Sequence, residues 1–114
     1  MTQLVYKLFR QSEWQQAQQS GSFSGSADDR RDGFIHLSAP DQVRGTFEKY
    51  FADEPEPVLV AFDAVLLGPA LKWEISRAGQ HFPHFYGVLN MAQALSVFQI
   101  RNEAGRAIFP PDIA

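Results

Sequence analysis

Five consecutive apolar residues, Val58-Leu59-Val60-Ala61-Phe62, stand between Pro57 and Asp63. A strand sends successive side chains to opposite faces, so an unbroken apolar run suits a strand covered on both sides. Any fold for this chain must bury that run from two directions. The material is available, since 45% of the 114 residues are apolar and ten are phenylalanine. That is the composition of a globular chain, and one domain of this length buries about two-thirds of its unfolded surface.

Other segments carry their own periodicity. Leu4 to Phe9 is rich in strand formers and reads as an opening strand. Ser12 with Gln15 reads as a capping box that opens a short helix, stopped by Gly21 and burying Trp14 and Ala17. Residues 20–32, polar and broken by glycine and serine, read as a mobile surface loop anchored by Phe23, with a substrate-covering lid as the alternative. A strand over 33–37 would put Phe34 and His36 on one face and Ile35 and Leu37 on the other. Ser38 is a candidate cap for the next helix, with Pro40 and Asp41 in its first turn. Val43, Phe47, Tyr50 and Phe51 then form one helical stripe.

Beyond the apolar run, Leu66 to Pro69 turns the chain. Leu71, Trp73 and Ile75 alternate with Lys72 and Glu74, which predicts a strand with one apolar face. A turn with a short helical piece from Asn90 and a closing hairpin of 95–101 with 106–109 complete the pattern, Gly105 taking a positive φ. The order is strand, helix, strand, helix, then mostly strands: an α+β domain with two early helices and a largely antiparallel sheet.

Composition removes several functions. Net charge is −3, and Arg30-Arg31 is too short for a basic stripe, so nucleic acid is not an expected partner. Cysteine is absent, which excludes disulfides, thiolate metal sites and a cysteine nucleophile. No export signal or membrane-length apolar run is visible, and a cytoplasmic protein is the expectation. Phosphate-cradling glycine loops and a nucleophile elbow around Ser38 are also missing.

The three histidines, His36, His81 and His84, lie in or beside Asp32-Gly33-Phe34-Ile35-His36-Leu37-Ser38 and Phe82-Pro83-His84-Phe85-Tyr86-Gly87. Imidazoles among aromatic neighbours mark a candidate site for binding or proton transfer. His81, His84 and Glu74 have the chemistry of a metal ligand set. Pro83 argues against a helix there, however, and an extended His-x-x-His points its rings to opposite sides. No metal is assigned on this basis.

Those two runs, with Val5-Tyr6-Lys7-Leu8, Trp14, Gln42 and Trp73-Glu74, together resemble the small bacterial family known as domain of unknown function 952, over essentially the whole chain. The family is grouped at the level of fold with ADP-ribosyltransferase-like proteins. The resemblance therefore implies a split antiparallel sheet with a cleft for NAD or a related nucleotide. The pattern of that superfamily falls on Lys7, to hold a ribose, on His36, near nicotinamide, and on Glu74, to stabilise an oxocarbenium-like centre. Lys7 departs from the histidine of many relatives, and an ammonium cannot accept a hydrogen bond. His81 lies outside the family pattern.

The expectation is a small-molecule site with Glu74 and His36 as catalytic groups and Lys7, His84, Tyr86 and Ser38 as binding groups. NAD is the candidate substrate, and an ADP-ribosyl-transfer-like reaction the candidate chemistry. The rival is a non-enzymatic module that binds a ligand or a protein through an aromatic pocket. A metal-dependent hydrolase is the third reading. Substrate and oligomeric state stay open.

Overall fold

The computed structural model describes residues 3–110. Strand β1 (Leu4–Phe9) leads into helix α1 (Gln11–Ser20), strand β2 (Ser22–Phe23) and helix α2 (Ala27–Asp32). Strand β3 (Ile35–His36), helix α3 (Val43–Tyr50), strand β4 (Val58–Asp63) and helix α4 (Ala64–Leu67) follow. The second half holds β5 (Leu71–Ile75), β6 (His81–Phe85), β7 (Leu89–Asn90), β8 (Ser96–Gln99), β9 (Arg101–Glu103) and β10 (Arg106–Ile108). Short 3-10 turns at Gly68–Ala70, Arg77–Gly79 and Met91–Gln93 connect them. This is an α+β chain, and every strand pairing is antiparallel.

Two three-stranded sheets, β1-β4-β8 and β3-β6-β5, carry the architecture. They meet at one point, where Tyr6 and Ser38 exchange backbone hydrogen bonds of 2.8 Å in each direction. The apolar run lies at the centre of the first sheet and is covered on both faces, as its sequence requires. Val58, Val60 and Phe62 pack with Val5, Phe9, Trp14, Ile35, Leu37 and Phe85 in one core. Leu59 and Ala61 pack with Tyr6, Leu8, Val43 and Phe47 in another, beneath α3. Alternation places Lys7 on the face of Val5 and Phe9, toward the first core.

Several local expectations are corrected. Helix α1 starts two residues earlier than the Ser12–Gln15 box implies, with Arg10 as its cap, because the Glu13 carboxylate accepts from the Arg10 backbone N–H at 2.9 Å. Gly21 ends it in the left-handed region as expected. The 20–32 segment is not an irregular loop. It holds β2, paired with β7, and α2, which Ser26 and Asp29 cap reciprocally. Ser38 does not cap α3: its backbone is used in the bridge to Tyr6, and its hydroxyl meets Thr46 Oγ1 at 2.9 Å. Tyr50 leaves the α3 stripe and is half exposed, whereas Val43 and Phe47 are fully buried.

The closing hairpin is β9–β10 alone, turning at Ala104-Gly105 with positive φ at both, while the 96–99 stretch pairs with β4 instead. The short helical piece expected from Asn90 is the 3-10 turn Met91–Gln93, and Asn90 Oδ1 caps it by accepting from the Ala92 N–H at 2.9 Å. On β5 the alternation is real, but the strand runs past the core: Leu71 packs against it, Trp73 is 37% exposed and Ile75 69%. Among the described residues, no helix is long and apolar enough to cross a membrane.

Burial ranks the aromatic truncations. Phe47→Ala should cost about 3–5 kcal/mol, the usual range for emptying a buried aromatic site. Trp73→Ala, on an edge strand and partly in solvent, should cost well under half of that. Urea unfolding of the two variants checks the order.

Candidate functional site

The site begins with a charge that the alternation of β1 forces inward. Lys7 is only 5% exposed, and a lone ammonium there would carry a heavy desolvation cost. Asp29, 2% exposed, meets it: Lys7 Nζ lies 3.0 Å from Asp29 Oδ2 and 3.3 Å from Oδ1, and also donates to the His36 carbonyl at 3.1 Å. Asp29 is the third residue of α2, so its carboxylate also accepts from the Ser26 N–H at 2.9 Å. The His36 N–H donates to Asp29 Oδ1 at 3.1 Å, and His36 Nδ1 lies 2.6 Å from the same oxygen.

Burial alone would raise the Asp29 pKa. The His36 hydrogen bond, the Lys7 charge and the N–H groups of Ser26 and His36 outweigh it and hold the carboxyl well below the usual carboxylate range.

His36 is bound at both ends of its ring, with Nε2 2.9 Å from Asp32 Oδ2. A neutral imidazole has one N–H and serves one carboxylate; the imidazolium serves both. The Asp32 carboxyl is lowered chiefly by the Arg31 hydrogen bond, with His36 contributing.

The second imidazole lies directly across the sheet, since His36 pairs with His84 in the β3–β6 register. Their rings are 5.7 Å apart between centroids. Phe34 stacks on His84 at 3.9 Å and sits 4.7 Å from His36, so Phe34 and His36 do share a face as the alternation predicts. His84 is buried, and its Nδ1 lies 2.8 Å from Glu74 Oε1, which also accepts the Tyr86 hydroxyl at 2.7 Å. Because a carboxylate only accepts, His84 donates to it from Nδ1. The Tyr86 and then the His84 bonds lower the Glu74 pKa, and the same Glu74 bond raises that of Tyr86.

A cleft of about 140 Å³ opens beside these groups. Lys7, His36, Ser38 and His84 line it together with Asp29, Asp32, Thr46 and Arg77. Glu74 and Tyr86 are not on its wall and reach it only through His84. Of the six residues expected at a site, four therefore border one hollow and two stand behind His84. His81 is exposed and three residues from His84 on one strand, which turns the two rings to opposite faces. Among the described residues, no group of three metal-ligating side chains gathers.

Residues 8–97 match the family model described as "Protein of unknown function (DUF952)". The chain belongs to that family. Its fold is also that of a solved family-sized protein: the crystal structure of CC0527 from Caulobacter crescentus is 42% identical, covers 92% of this chain and 93% of its own, and superimposes with a TM-score of 0.88. The solution structure of CC0527 is similar at 41% identity, with 91% and 90% coverage and a TM-score of 0.80. Comparison with curated proteins gives no match. These likenesses establish family and fold, and the chemistry has to be argued from the side chains.

Asp29, Asp32, Thr46 and Arg77 line the cleft without having been among the expected site residues. A signal for the first two was present: Ser26-x-x-Asp29, acidic residues early, Arg30-Arg31 late and Gly33 after them are the marks of a short capped helix. No pattern in the sequence brings Thr46 and Arg77 to the same cleft, because they come from a helix and from a turn that meet only in the fold.

Asp29→Asn should destabilise the protein by about 3–5 kcal/mol at neutral pH, because it leaves the Lys7 ammonium buried without its counter-charge. The folded Asp29 pKa lies below the unfolded one, so the unfolded chain binds the proton more readily. Its contribution is therefore complete above about pH 4 and fades as pH falls further. Denaturant unfolding of the native protein between pH 3 and 7 should show that loss, and Asp29→Asn should show a flatter acid limb.

Proposed function

We propose that the cleft is a small-molecule site in which His36 and His84 act as proton donor and acceptor. One observation carries this reading. Two imidazoles, each with its Nδ1 held by a carboxylate, border the same hollow at 5.7 Å centroid separation. Such a partner fixes ring orientation and tautomer, which is what general acid–base catalysis asks of histidine. In this reading Glu74 orients His84, Tyr86 holds Glu74 in place, and Asp29, held by Lys7, orients His36. Ser38 contributes a hydroxyl to the wall.

Size bears on the NAD version of the proposal. Pockets that enclose a drug-sized ligand usually run to about 300–1,000 Å³. A cleft of about 140 Å³ takes a small metabolite, or one end of a larger molecule such as a dinucleotide. An ADP-ribosyl-transfer-like reaction would then present its reacting end to the two histidines, with Glu74 acting through His84. The acidic balance of the chain, −3 overall, favours a small ligand over nucleic acid as the partner.

Ligand-observed magnetic resonance with NAD, nicotinamide and a set of polar fragments tests the proposal. Binders should shift the ring signals of His36 and His84, and His84→Asn should weaken them. If NAD is turned over, released nicotinamide should fall by about 10²–10⁴-fold in Glu74→Gln with the fold retained. Absence of any ligand that perturbs the two rings up to millimolar concentration would remove the reading.

A further inference from the structure

We propose that Arg77 is the anchor for an oxyanion of the ligand, a carboxylate or phosphate group, within the cleft. The inference rests on the reading of that cleft as a small-molecule site and adds the chemical class of what enters it.

Three side chains of fixed positive charge line the cleft: Lys7, Arg31 and Arg77. Two are neutralised from within the protein. Lys7 is paired with Asp29 at 3.0 Å. Arg31 is paired with Asp28 at 3.2 Å and Asp32 at 3.0 Å. Arg77 is different, because among the described residues no carboxylate lies within ion-pair distance of it. The acidic groups of the cleft, Asp28, Asp29 and Asp32, are all engaged by Arg31, Lys7 or His36. Three aspartates and three fixed cations balance on the lining, and an incoming anion meets in Arg77 the one cation among them with no carboxylate in contact.

That cation is nevertheless held in place. Arg77 projects from the turn between β5 and β6, which is closed by the Ser76 N–H on the Gln80 carbonyl at 2.8 Å. Its guanidinium lies over the Phe82 ring at 4.9 Å. One Nη donates to Thr46 Oγ1 across a long 3.4 Å.

The position opposite is Gly45, inside α3, where a residue with poor helix propensity needs a reason. A Cβ built there would meet only Arg77, 3.2 Å from Nη2, so the glycine leaves room for the guanidinium against the helix. Thr46 and Ser38 hydroxyls, 2.9 Å apart, stand beside it on the cleft wall with Ser76. A planar fork with most of its five N–H groups uncommitted, flanked by hydroxyls, suits bidentate capture of a carboxylate or phosphate. The volume of the cleft suits a ligand of metabolite size.

The test titrates isotope-labelled protein with inorganic phosphate and, separately, acetate, at ionic strength held constant with chloride. Arginine Nε–H and histidine ring signals report binding. Saturable binding of at least one anion is expected, weakened tenfold or more in Arg77→Gln and less in Arg77→Lys. Gly45→Ala, which keeps the charge and crowds the guanidinium, should also weaken binding while unfolding stays cooperative. Arg106→Gln, away from the cleft, should bind as the native protein does.

Which anion binds more tightly tells phosphate from carboxylate recognition. Failure of both anions to saturate, or equal affinity in Arg77→Gln, would overturn the assignment. Neutral fragments that still shift both histidine rings would then leave the site standing without its anion anchor, whereas loss of both would remove site and anchor together.

Discussion

The buried pair of Lys7 and Asp29 sets the shape of the molecule. Two residues beyond β3, Ser38 bonds directly to β1 through Tyr6. Within β3 the outer edge opens, and the N–H and C=O of His36 find Asp29 and Lys7 instead of a neighbouring strand. The ion pair thus satisfies strand groups that would be costly to leave unmade, and it does so where the two sheets part. A cation placed in the core by strand alternation becomes the filling of the seam. Removing either partner leaves a buried charge as well as an unpaired strand edge.

That seam also locates the cleft. Splitting the sheets leaves one face of β3 and β6 uncovered by the first core, and on this face Phe34, His36 and His84 gather. Asp29 serves two purposes there, countering Lys7 and orienting His36. Glu74 repeats the second purpose for His84 from the outer strand β5, diagonally across the register. Two histidine–carboxylate pairs from different strands thus reach one hollow, with α3 and the Arg77 turn forming its other wall.

Much of the frame was readable from residue order. The run 58–62 announced a strand buried on both faces, the Val43–Phe47 stripe announced a helix, and Gly21, Asn90 and Gly105 marked a stop, the start of a short helical piece and a turn. Reading failed where local and tertiary choices compete. Ser38 has the chemistry of a cap, but its backbone is worth more as the link between sheets. Trp73 alternates as a core residue should, yet its edge strand extends beyond the core that would cover it. Residues 20–32 look like a loop by polarity, although the Ser26–Asp29 reciprocal cap and the Arg31 pairings make α2 a short helix.

The amino-acid order by itself determined which stretches extend, which coil and which side chains share a face, because those properties depend on neighbours a few residues away. It also pointed to Glu74, His36, Lys7, His84, Tyr86 and Ser38 as candidate site groups, of which four line the cleft. Only the tertiary structure decided that Asp29 rather than Glu74 partners Lys7 and His36, that Glu74 and Tyr86 stand behind His84 instead of on the cleft wall, and that Arg77 faces the same hollow. Those pairings join residues separated by tens of positions. Their strength comes from burial and from the geometry of approach, neither of which a linear sequence specifies until the sheets have met.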